Sequence, residues 1–106
     1  MKRFLCLHTV PPRSMTREQV EQIGKASQND PVIHGIRSFL NLTEGKIACV
    51  FDAPDQQSLV QWFQKMNVPF DLIVPVELEG EHGTICEVET PVGSTAATGY
   101  PDYSDF

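Results

Sequence analysis

The chain reads as an α+β domain of ferredoxin-like βαββαβ order, with an antiparallel sheet carrying two helices on one face. Three observations predict this. Runs with strand character and runs with helical period follow one another as strand, helix, strand, strand, helix, strand over residues 2–78. The breaks fall on chain-turning residues: Pro11-Pro12, Asn29-Asp30-Pro31, Gly45, Pro54 and Asn67 to Pro69. The 106 residues are 41% hydrophobic, enough for one small core and too apolar for a chain disordered throughout.

Residues 2–10, KRFLCLHTV, are β-prone and stop at two prolines that cannot continue a ladder. Alternation puts Phe4, Cys6 and His8 on one side and Leu5, Leu7 and Thr9 on the other. The next element is a helix. Thr16 and Gln19 have capping-box spacing, with Met15 and Val20 placed as a hydrophobic staple. Its inward stripe is Val20, Ile23, Ala26 and Ser27. Residues 32–42 and 46–51 make a hairpin around Thr43-Glu44-Gly45, where glycine can take a positive φ. Ile36, Ser38, Leu40 and Leu42 share one face of its first strand, and Arg37, Phe39 and Asn41 the other. The second helix starts at the N-cap Asp55, and its stripe is Leu59, Trp62, Phe63 and Met66 at i, i+3, i+4, i+7. Residues 70–78 read as the last strand, with Pro75 marking an edge or a bulge.

The ferredoxin-like domain thus spans residues 2–80. Each strand carries apolar side chains on both faces, while the helices cover only one. The exposed face predicts a homodimer that stacks two sheets, a dimeric α+β barrel-type association. Residues 81–90 include TICEVET, a possible extra strand at 84–90. Residues 91–106 are rich in Pro, Gly, Ser and Thr and read as a flexible acidic-aromatic tail. Its Tyr100, Tyr103 and Phe106 are candidate anchors for a protein partner, because aromatics dominate binding hot spots.

Charge and cysteine usage bound the function. The net charge is −6. Residues 1–76 hold 8 bases against 7 acids, a balance of +1, whereas residues 77–106 hold 7 acids and no base. With no basic cluster the chain is not expected to bind nucleic acid. No run approaches the ~20 apolar residues of a membrane span. Cys6, Cys49 and Cys86 are odd in number and form no CxxC pair, which suits free thiols in a reducing cytoplasm.

Two side chains stand out chemically. A sheet of order 4-1-3-2 makes the first and third strands neighbours, so His8 and Cys49 can lie adjacent. Imidazole and thiolate suit nickel, zinc or copper. A third ligand can come from Glu77, His34, Cys6 or a dimer partner. The plainer alternative makes Cys49 a small buried hydrophobe and His8 a strand-end residue bonded to a carbonyl. Another is a pocket between sheet and helices for a small organic substrate, with His8, Arg37, Asn41 and His34 as candidate polar groups. His82 sits in an acidic run, Glu77 to Glu89, that reads as a solvated strand edge.

The segments FLCLHTVPP, TREQ and KIACVFDAPDQQSLVQWFQKMNVPFDLIVPVEL, in this order, resemble a small family filed as a domain of unknown function that includes a nickel-binding protein. The resemblance covers residues 2–79. Its most specific part is Cys49-Val50-Phe51-Asp52-Ala53-Pro54-Asp55, followed by a helix and the N-V-P turn. It implies a ferredoxin-like dimer that handles nickel for sequestration or response rather than catalysis. The family typically has Cys at the position of Cys49 and often His at that of His8. It usually carries Glu where this chain has Pro75; Glu77, two residues on, points to the same face. The resemblance therefore implies His8, Cys49 and Glu77 as the metal set.

Overall fold

The computed structural model describes residues 1–88 and the backbone of a strand at 97–98. The elements are β1 (Lys2–Thr9), α1 (Arg17–Asn29), β2 (His34–Asn41), β3 (Lys46–Ala53), α2 (Gln56–Lys65), β4 (Leu72–Pro75), β5 (Leu78–Glu81), β6 (Thr84–Glu87) and β7 (Ala97–Thr98). The main sheet has the order β2-β3-β1-β4-β7, and its pairings are antiparallel. The first four strands reproduce the expected βαββαβ arrangement.

Both helices begin as the sequence predicts. Thr16 accepts from the Gln19 N–H, and the Gln19 side chain accepts from the Thr16 N–H, which completes the capping box. Asp55 caps α2 by accepting from the Ser58 N–H. Gly45 closes the β2–β3 turn at φ 76, and the Val10 N–H donates to its carbonyl. A side chain at Gly45 would run into the Val10 carbonyl, so the turn needs glycine.

Register sorts the sheet into two faces. Phe4, Cys6 and His8 lie opposite Phe51, Cys49 and Ile47. They face the helices with Ile73 of β4, and Phe4, Cys6, Phe51 and Ile73 build the core with Ile33, Leu59, Trp62 and Phe63. The opposite face carries Leu5, Leu7, Val50, Leu72 and Val74, all half-buried, and Phe39, which is 62% exposed. A bulge between Gly35 and Arg37 shifts the register of β2 against β3.

One expectation needs correction. The last strand does not run over 70–78. It ends at Pro75, which has no N–H to give a ladder. Leu78–Glu81 and Thr84–Glu87 are instead a hairpin of their own, forming a separate two-stranded sheet. The extra strand expected within 81–90 is present as Thr84–Glu87, paired with Leu78–Glu81. His82 (φ 51) and Gly83 (φ 84) make its two-residue turn, both with the positive φ of a type I′ turn. His82 is thus a turn residue. Tyr100, Tyr103 and Phe106 lie outside the described residues.

Candidate functional site

The two helices do not press on the sheet equally. α2 buries Leu59, Trp62 and Phe63, whereas α1 buries only Ser27. α1 is tied down at its C-terminal end. A side chain at Gly35 would strike the Ser27 hydroxyl, and Gln28 donates to the Gly35 carbonyl at 2.6 Å. Val20 and Ile23, nearer its start, stay half-buried. A cavity of about 470 Å³ remains between α1 and the sheet. Its walls include Val20, Ile23 and Gly24 from α1, His8, Ser38, Ile47, Cys49 and Phe51 from the sheet, and Phe63 from α2.

His8 and Cys49 therefore meet in one cavity. His8 is only 4% exposed. Its Nδ1 lies 2.8 Å from the Pro69 carbonyl, and its ring stands edge-on to Phe63 at 5.1 Å. A carbonyl only accepts, so Nδ1 carries the hydrogen and Nε2 keeps its lone pair. Among the described residues nothing is bonded to Nε2. Burial pushes the His8 pKa down, with the Pro69 bond and Asp71 opposing it, so the ring is held toward its neutral form. Cys49 Sγ accepts from Ser38 Oγ at 3.4 Å. Burial raises the Cys49 thiol pKa, and the Ser38 bond works against that rise. Cys6 lies directly opposite Cys49 on the same face, fully buried, and its thiol is pushed up strongly by burial.

The other candidates lie elsewhere. Glu77 is exposed and cannot join His8. Pro75 pairs with Phe4, four residues or roughly 13 Å of strand from His8, and an antiparallel chain carries Glu77 farther away. His34 pairs with Asp52 on the face away from the helices. Arg37 borders the cavity beside the bulge but pairs with Val50, on that same outer face. Asn41 braces the β2–β3 turn through its bonds with Glu44. Among the described residues no group of three His, Cys, Asp or Glu could hold a metal ion. His8 and Cys49 thus suit a borderline metal in kind, and the described residues of one chain offer too few donors to enclose it.

Ser38 and Gly24 are site residues that the sequence reading passed over. Counting back from the hairpin puts Ser38 opposite Cys49. A glycine in mid-helix is a signal in itself.

Comparisons with known proteins fit this fold. Residues 4–76 match the family model described as nickel responsive protein SCO4226-like. The crystal structure of SCO4226 from Streptomyces coelicolor A3(2) superposes with a TM-score of 0.62 and 20% identity, covering 74% of this chain and 99% of that one. At that identity the likeness is one of fold. No curated protein matches. β5 and β6 lie beyond the matched residues.

Proposed function

The chain belongs to the nickel responsive protein SCO4226-like family, and from that premise we propose that it binds nickel through His8 Nε2 and Cys49 Sγ, in sequestration or response rather than catalysis. One observation carries the reading: the two donors of borderline character line the same cavity, and the Nδ1 bond to the Pro69 carbonyl leaves the imidazole its Nε2 lone pair. Remaining coordination positions would fall to water, a small molecule or a second copy of the chain. We place the protein in the cytoplasm as a homodimer, on its free thiols and the apolar outer face of its sheet. No helix among the described residues is long and apolar enough to cross a membrane.

Calorimetric titration of chelator-treated protein with Ni²⁺, Zn²⁺ and Cu²⁺ tests this. The expected result is a saturable Ni²⁺ site that is lost in the His8→Ala, Cys49→Ala double variant. Its thiolate absorption bands should vanish in Cys49→Ser. Only millimolar binding, or binding untouched by the double variant, refutes the assignment. Coordination needs the Cys49 thiolate, so apparent affinity should also rise with pH, because burial holds that thiol protonated.

A further inference from the structure

The cavity beneath α1 has a feature that a metal site does not require. Val20, Ile23, Gly24 and Ser27 follow the i, i+3, i+4, i+7 spacing of one helix face, and all four line the cavity. Gly24 stands in the middle of that face. A Cβ added there would meet nothing within 4 Å. Glycine in a helix interior is destabilising, and here no close approach of another segment calls for it. Gly24 is itself exposed, so the helix leaves the hollow open to solvent at this position.

His8 supplies the second, independent observation. It is 4% exposed, it forms part of the cavity wall, and its Nε2 lone pair has no partner among the described residues. Among the described residues no fully buried side-chain nitrogen lacks a partner, so this acceptor is reachable, and an acceptor in the wall of an apolar hollow is matched by a ligand that brings a hydrogen-bond donor. The hollow's volume of about 470 Å³ suits a molecule of one or two rings. Phe51 and Phe63, set edge to face at 5.3 Å, provide aromatic surface in its wall.

We propose that this cavity binds a small uncharged aromatic molecule bearing an O–H or N–H, of the phenol or indole class, with the donor bonded to His8 Nε2. The proposal goes beyond the nickel reading and does not depend on it, although both use Nε2, so the aromatic ligand and the metal exclude one another there.

The test uses chelator-treated full-length protein, titrated calorimetrically with 2-naphthol and with 2-methoxynaphthalene, which has no donor. Saturable 1:1 binding is expected, with 2-naphthol about tenfold tighter, the effect of one buried hydrogen bond. His8→Phe should bring the two ligands to equal affinity. Gly24→Leu should obstruct the hollow at its open side and weaken both, while its melting temperature stays level or rises, because a helix former replaces glycine. On the unaltered chain, 2-naphthol should shift the NMR signals of the His8 and Phe63 rings, a readout that needs no variant to fold. No saturable binding at the solubility limit overturns the proposal. So does a donor preference that survives His8→Phe, undiminished binding to Gly24→Leu, or shifts confined to other residues. A parallel Ni²⁺ titration keeps the two readings apart: either ligand can fail while the other binds.

Discussion

His8 shows how one buried side chain ties chemistry to stability. Burial penalises the imidazolium and lowers its folded pKa below the ordinary value of about 6.5, while the Pro69 carbonyl and Asp71 oppose the shift. The unfolded chain, with the higher pKa, then takes up the proton first as the solution is acidified. The stability is therefore complete above about pH 6.5 and is lost as pH falls through the lower folded value. Melting temperatures measured across that window should fall with acidification in the unaltered protein and change much less in His8→Phe; equal slopes would clear His8 of the effect. The sequence made this residue partly legible. Alternation along residues 2–10 put His8 on the side of Phe4 and Cys6, and the strand order put it near Cys49. What it hid was the hydrogen bond to Pro69, sixty-one residues away, which selects the tautomer. It also hid the distance of Glu77. Side-chain parity assigns a face, but only register assigns a position along the strand, and the register carries Glu77 toward the wrong end of β1.

At the scale of elements, local signals located both helices because their caps are encoded in a few adjacent residues. Asp55 is such a case. Its carboxylate accepts from the Ser58 N–H at 2.7 Å, and that bond holds its pKa below the usual carboxylate range. Asp55→Ala should destabilise the fold by about 1 kcal/mol, read from urea unfolding with an unchanged slope against denaturant. The loss should also shrink as pH falls and the native carboxylate protonates. A variant as stable as the parent would show that α2 is held by Leu59, Trp62 and Phe63 alone. The β5–β6 hairpin was less legible. Each strand has four residues, and LEGE carries little strand signal of its own, since Glu and Gly are poor strand formers. Its positioning is tertiary: Arg3 of β1 bonds both Asp52 of β3 and Glu79 of β5, at 2.8 and 2.9 Å. The acidic run that looked like a uniform charged edge thus includes one residue neutralised by the body of the domain.

For the whole molecule, the unresolved balance lies on the outer face of the sheet. Leu5, Leu7 and Val50 occupy its centre on β1 and β3, with Leu72 and Val74 beside them on β4. Phe39, from the β2 edge, is 62% exposed. Water-facing sheets normally alternate apolar inside with polar outside, and these strands do not. A second copy laid across this face would remove the patch from water, and a stable pair needs on the order of 800 Å² from each partner. A sheet face of four main strands has the breadth for it. The central position is Val50, opposite Leu5 on one side and Arg37 on the other, with its side chain directed away from the core. Val50→Lys would therefore place a charge in the middle of the stacked sheets, where desolvation is costly, while leaving the helix-facing core of Phe4, Phe51 and Phe63 untouched. Light scattering coupled to size exclusion should give a dimer for the unaltered chain and a monomer for Val50→Lys, with the far-ultraviolet dichroism of the two unchanged. A monomer in both, at the concentrations of structural work, would leave this face without a second copy as its cover and would confine the cavity chemistry to the single chain.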